Sequence, residues 1–146
     1  MPLYMVTRTS SALSTSNDSI TLVASSTKPL RVYMVDIKGM GTASAANEVA
    51  VARSSSGTTG GGGITPSPLN SNSGSASFNA YTTWSAQPTV GAVLWRAGVN
   101  ANGGIDKFIA IPGAEIQVPV SGQLSIRSIS GTSNATIALL VEEVDG

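Results

Sequence analysis

The acidic side chains are the first groups in this sequence that could do chemistry. Glycoside hydrolysis, for example, needs two carboxylates held several Å apart in a cleft. Three groupings are available: Asp18 with Asp36, Asp106 with Glu115, and Glu142-Glu143-Asp145 near the C-terminus. No spacing singles out one of them, and most of these acids fall at predicted strand ends and turns, where solvated charges are usual. The pattern therefore favours structural acids, with the last group forming a solvated tail.

The sequence has 146 residues and contains neither His nor Cys. Their absence removes the commonest general base and transition-metal ligand, and it excludes Cys nucleophiles, thiolate metal sites and disulfides. No acid-rich loop offers the converging oxygens of a calcium site. Gly60–Gly63 lacks the Lys and the following helix of a phosphate-binding loop, so we interpret this run as a flexible linker. We predict that the protein is not an enzyme and has no metal and no cofactor.

Charge is scarce and balanced in this chain. Eight basic residues offset eight acidic ones, and charged residues make up only 11% of the sequence. No basic patch indicates nucleic-acid binding. No apolar run approaches the roughly 20 residues of a membrane span, and the N-terminal residues do not resemble a signal peptide. We therefore expect synthesis in the cytoplasm, with neither nucleic acid nor membrane as a partner.

Apolar residues mostly recur at every second position in short runs between turn formers, which is the signature of β-strands. The clearest run is Leu30–Ile37, in which Leu30, Val32 and Met34 are predicted to share one face. The opposite face is apolar too, so we expect cover on both sides, by a second sheet and by a neighbouring subunit. Roughly eight to ten such strands predict one domain over residues 1–146, an antiparallel β-sandwich or jelly roll. The predicted strands are 3–7, 19–24, 30–37, 48–53, 78–84, 91–97, 105–111, 115–120, 122–129 and 135–143.

A long Gly/Ser/Pro-rich segment, residues 54–77, interrupts this pattern. Loops of such length in a compact domain are usually functional or disordered, and Pro66 and Pro68 favour an extended course. We interpret the segment as an excursion that leaves the sandwich, and we call it the excursion below. Three of the seven aromatic residues follow it between Phe78 and Trp84. They could pack in the core, form a carbohydrate platform or form a subunit seam. We prefer the seam, because few acids and amides lie close by.

The order of several short motifs carries a resemblance to a known family. The motifs are a strand ending in Arg53, the Gly/Ser/Thr stretch, residues 63–70, Leu94-Trp95-Arg96, Asn100 with Gly103-Gly104, residues 111–115 and a last strand ending Val141-Glu142-Glu143. This order resembles small jelly-roll proteins encoded by tailed bacteriophages, of the capsid decoration (cement) type. The resemblance covers most of the chain from Leu30 on.

The resemblance implies a tumour-necrosis-factor-like jelly roll of two antiparallel sheets that forms a homotrimer. Such proteins are not enzymes. They bind the outer surface of an icosahedral shell, near three-fold and quasi-three-fold points, and clamp neighbouring copies of the major capsid protein. The location would then be the virion surface. The excursion and the N-terminal segment are the elements expected to reach the shell, because both lie outside the regular strand pattern. Candidate contacts with the shell or a sister subunit are Ile64, Pro66, Pro68, Leu69, Phe78, Tyr81 and Trp84.

Two other functions fit an all-β chain. A phage tail or receptor-binding domain would bind a host glycan near Phe78–Trp84. A cellular jelly-roll enzyme or ligand-binding domain is the third possibility, and the absence of His and Cys weighs against its metal-dependent forms.

Overall fold

The computed structural model describes residues 2–145, which form strands joined by turns and loops. Two six-stranded antiparallel sheets face each other across one hydrophobic core, and a separate two-stranded ribbon accompanies them. The predicted all-β antiparallel sandwich is confirmed. The described residues contain no helix long and apolar enough to cross a membrane.

The strands, in chain order, are β1 (Leu3–Ala12), β2 (Ile20–Val23), β3 (Leu30–Met40), β4 (Ala46–Ser55), β5 (Thr58–Gly60), β6 (Gly63–Ile64), β7 (Ser67–Pro68), β8 (Asn79–Tyr81), β9 (Trp84–Ala86), β10 (Thr89–Asn100), β11 (Asn102–Ile109), β12 (Ile116–Val118), β13 (Gln123–Ser130) and β14 (Asn134–Glu143). Sheet A has the order β11-β3-β14-β1-β7, with β12 also paired to β3. Sheet B has the order β10-β4-β13-β2-β8-β6, and the ribbon is β5 with β9.

The long strands pair in a nested way that defines the jelly roll. β1 pairs with β14 and β3 with β11 in sheet A, while β2 pairs with β13 and β4 with β10 in sheet B. Successive pairs thus alternate between the sheets, as in double-sheet jelly rolls. As a result, β11 is the edge strand of sheet A and β10 is the edge strand of sheet B on the same side of the molecule, and a tight turn joins the two strands.

The face assignments predicted for β3 are wrong after Val32. Val32 pairs with Val141 and Met34 pairs with Leu140, which leaves Tyr33 as the extra residue of a β-bulge. An inserted residue reverses the alternation of side chains along a strand. Met34 therefore points away from the core, whereas Val35 and Ile37 are fully buried with Val32.

The excursion does not leave the sandwich. Its strand β6 extends sheet B beside β8, and β7 extends sheet A beside β1. The excursion therefore extends both sheets at the edges opposite β11 and β10. The chain's accessible surface of 6816 Å² is close to the about 6,900 Å² expected for a compact monomer of its mass. The excursion therefore forms no extended arm, and its pairing with β8 and β1 sets its conformation.

The Gly60–Gly63 run packs closely instead of serving as a flexible linker. A Cβ at Gly60 would lie only 2.5 Å from the Tyr81 ring, so a larger residue there would displace the ring. The Gly61 N–H donates to the Thr83 carbonyl at 2.8 Å, and the Gly62 N–H donates to Thr83 Oγ1 at 2.7 Å. The absence of side chains in this run lets its backbone approach the segment after β8.

Candidate contact surfaces

The aromatic cluster after the excursion is occupied by contacts within the chain. Phe78 is only 2% exposed, and its ring meets Tyr4 edge-on at a centroid distance of 5.6 Å. Tyr81 and Trp84 are half-buried with their rings 4.9 Å apart, and Trp84 Nε1 donates to Thr21 Oγ1 at 3.0 Å. The expected seam is therefore corrected at Phe78, since a buried ring offers no surface to another chain. Nothing in this geometry favours the carbohydrate platform.

The four candidate residues on the excursion divide into inner and outer ones. Ile64 packs against the core and Pro66 is half-buried. Pro68 and Leu69 are exposed, Leu69 by 57%. The Leu69 N–H donates to the Leu3 carbonyl at 2.9 Å, which fixes this outer pair beside the start of β1. We call Pro68 and Leu69 the apolar ridge.

The N-terminal segment and the excursion, both predicted to reach a partner, meet in space. A groove of about 600 Å³ lies where they meet. It is lined by Pro2, Leu3, Leu69, Asn70, Ser73 and Gly74. The Tyr4 hydroxyl donates at 3.0 Å to the carbonyl of Gly74, one of the lining residues. Burial, with a smaller contribution from the Glu143 carboxylate, raises the pKa of Tyr4 and keeps this donor protonated. The segment is not a free arm, because β1 pairs with β14 from Leu3 onward.

Glu143 holds the end of the excursion in place. It is 1% exposed, and its Oε2 accepts the Ser77 N–H at 2.9 Å and the Phe78 N–H at 3.0 Å. A buried carboxylate must be compensated by hydrogen bonds, and these two amides supply them. The prediction of a solvated acidic tail is therefore wrong for Glu143 and holds only for the exposed Asp145.

Asp18, expected to be a solvated turn residue, is also buried, at 2% exposure. Its Oδ1 lies 2.7 Å from Arg127 Nε, and its Oδ2 accepts hydrogen bonds from the hydroxyls of Thr21 and Ser125. Both oxygens are thus compensated within the chain, so Asp18 is a structural acid. Among the described residues no group of three or more acidic side chains is placed to hold a metal ion.

This polar cluster joins sheet B to a layer that covers it. Arg127 Nη2 donates to the Pro88 carbonyl at 3.1 Å, and the Asp18 N–H donates to Gln87 Oε1 at 2.9 Å. Trp84 of the ribbon bonds to Thr21 on the same side. Outward side chains in the middle of sheet B, such as Ala52 at 1% exposure, are accordingly buried, whereas Ile129 and Arg96 on the same sheet remain exposed. The chain itself therefore covers part of the outer face of sheet B.

Sheet A has no such layer within the described residues. One lateral row on its outer face is apolar across four strands, through Ile109, Met34, Leu140 and Met5, each paired with the next. Ile109 is 68% exposed and the other three are half-buried. We call these four residues the apolar row. Sequence reasoning missed it, because the bulge at Tyr33 changes which residues of β3 point outward.

The edge next to this row is also apolar. Among residues 2–145, five of the nine exposed large hydrophobic residues lie on the β10–β11 hairpin or directly after it: Val93, Leu94, Ile105, Ile109 and Ile111. Exposed edge strands normally carry charge or are covered, since their unpaired backbone groups invite association. The sequence carries one signal of this apolar edge, because Ile105, Ile109 and Ile111 fall on one side of the predicted strand 105–111. The sequence does not show, however, that this strand lies at the edge of a sheet.

A polar cluster borders the apolar row on one side. The Tyr33 hydroxyl donates to Glu142 Oε2 at 2.9 Å, and Arg31 Nη1 lies 3.6 Å from Glu142 Oε1. Arg31 Nε is also 3.9 Å from Glu115 Oε1. Desolvation, followed by the hydrogen bond to Glu142, raises the pKa of Tyr33. The hydroxyl is therefore a neutral donor at physiological pH, and the cluster contains one acid more than it has bases.

Comparison of the chain with protein-family models, with curated proteins and with solved structures gives no match. The geometry defines a class of protein: an antiparallel jelly-roll sandwich whose buried acids serve its own packing and whose open sheet face and edge carry exposed apolar residues.

Proposed function

We propose that this protein is a structural subunit that decorates a virion. It binds the outer surface of an icosahedral tailed-phage shell, bridges neighbouring copies of the major capsid protein and is not an enzyme. The observation that carries the proposal is the fixed apolar ridge of Pro68 and Leu69 beside the N-terminal groove. Both parts belong to the segments that we expect to reach the shell, because those segments lie outside the regular strand pattern of the sequence.

Rigidity of the ridge supports a mechanical role. Strand pairing of β7 with β1, the Tyr4 hydroxyl and the Glu143 carboxylate all hold the excursion in one conformation. A surface that is already ordered loses little conformational entropy on binding, which leaves more of the contact energy as affinity. A contact of standard size buries about 1,600 Å², and that area would have to be exposed again before the shell could open.

A homotrimer would multiply this effect. Three ridges held in one particle bind neighbouring capsid subunits with a raised effective concentration, so modest single contacts add up to firm attachment. The scarcity of charge is compatible with this arrangement, because eight basic and eight acidic residues leave no net repulsion between copies.

The proposal predicts that Leu69→Asp abolishes attachment to the shell without unfolding the domain. A charge at the centre of the ridge would have to be desolvated in the contact, and residues central to an interface are worth about 2 kcal/mol or more, or roughly 30-fold in affinity. The measurement is co-sedimentation of purified protein with empty shells of the encoding phage. Ile129→Asp is the matched control, since Ile129 is also exposed, by 40%, but lies on sheet B. Equal binding of L69D and wild type would refute the assigned contact.

A further inference from the structure

The molecule covers its own surfaces unevenly. The excursion covers one side of the sandwich, and the ribbon with the segment after it covers part of the outer face of sheet B. The outer face of sheet A and the β10–β11 edge remain open, and they are continuous, because Ile109 belongs both to the edge strand and to the apolar row. The largest apolar patches of monomers usually serve a binding function.

We infer that a second copy of this chain covers the outer face of sheet A and the adjoining β10–β11 edge, with the apolar row at the centre of the contact. The inference rests on the proposed function, which includes a homotrimer, and it assigns the contact between copies to named residues. It moves the predicted subunit seam from the aromatic cluster, which lies at β8 and β9, to sheet A and the β10–β11 edge.

The extent of the surface suits a copy of this chain. Outward side chains of β1, β3, β11 and β14, together with the hairpin residues, approach the about 20–30 residues per partner of a stable protein interface. The centre is apolar and the border is polar, which is the usual anatomy of such an interface. A small molecule or a short peptide would leave most of this face uncovered.

Charges around the apolar row are complementary between copies. Lys38 and Lys107 are exposed on one side of the row, where Asp36 pairs with Lys107, so this side has one basic group more than it has acids. The cluster of Arg31, Glu115 and Glu142, with its excess acid, lies on the other side. The lysines of one copy can therefore lie near the acidic cluster of the next, and neither side needs a partner of different charge.

The test is the molar mass of the isolated protein in solution, measured by light scattering behind a sizing column. Wild type should give a multiple of the 14.7 kDa chain mass, three times that mass for the proposed trimer. Ile109→Asp should give 14.7 kDa, because it places a charge in the middle of the contact. Ile129→Asp, an exposed Ile changed in the same way on sheet B, should retain the wild-type mass.

Circular dichroism establishes whether each variant is folded. If I109D does not fold, Ile105→Asp takes its place, since Ile105 is 57% exposed on the same strand. A wild-type mass of one chain at tens of micromolar, or folded I109D or I105D with the wild-type mass, would overturn the inference. Failure of the proposed function looks different: the protein would be oligomeric but would not sediment with shells.

Discussion

Replacing Asp18 with Ala is expected to lower the free energy of unfolding by about 3–5 kcal/mol, the usual effect of removing one partner from a buried ion pair. Arg127, with a side chain only 18% exposed, would lose its partner at 2.7 Å. The hydroxyls of Thr21 and Ser125 would also lose their acceptor. Because the Arg127 guanidinium and these two hydroxyls lie under the covering layer of sheet B, water cannot easily replace the Asp18 carboxylate.

Urea unfolding followed by Trp fluorescence measures this loss, and Glu48→Ala provides the matched control. Glu48 also pairs with an arginine, Arg96, at 3.1 Å, but both side chains are well exposed, by 39% and 59%. Exposed pairs contribute about 0–1 kcal/mol, so E48A should remain close to wild type. If D18A were as stable as E48A, the buried cluster would not hold the covering layer, and the account of sheet B would be wrong.

Glu143→Ala is expected to lower the free energy of unfolding by about 2–4 kcal/mol, since the buried Phe78 amide and the partly buried Ser77 amide lose a charged acceptor. The effect should also be local. The amides of Ser77 and Phe78 bond to Glu143 Oε2, so their release frees the end of the excursion. Hydrogen exchange of residues 70–78 should therefore accelerate more than exchange in the core strands.

Asp145→Ala is the control for this variant. Asp145 is 67% exposed and pairs with Lys28 at 3.6 Å, so its removal should change neither stability nor exchange. Uniform acceleration of exchange across the whole chain in E143A would contradict a local anchor. Unchanged exchange at Ser77 and Phe78 would mean that other contacts hold the excursion.

The strand pattern was predictable because alternation is a local property. Residues 122–129 and 135–143 alternate in the sequence, and they form β13 and β14 nearly as expected. The bulge at Tyr33 was not predictable from alternation, because it is defined by the residue opposite, about a hundred positions away on β14. Because Tyr33 is the extra residue, Met34 lies on the outer face of sheet A, where it forms part of the apolar row.

The burial of Asp18 and Glu143 could not be predicted from their neighbours in sequence. Asp18 follows a turn and Glu143 ends the last strand, and both positions are usually solvated. Their partners, Arg127 and the amide of Phe78, are brought in by pairing over long sequence separations. The excursion was misjudged for the same reason: Gly, Ser and Pro indicate an irregular chain, but they do not exclude short edge strands such as β6 and β7.

The thermal stability of the shell tests the central claim, that this protein stabilises a virion by bridging its subunits. Empty shells of the encoding phage would be heated with and without saturating protein, and their disruption followed by light scattering. Shells that carry wild-type protein should disrupt at a higher temperature, whereas shells mixed with L69D should behave as undecorated ones. Wild-type protein that saturates the shell and leaves the disruption temperature unchanged, or that does not bind at all, would contradict the claim.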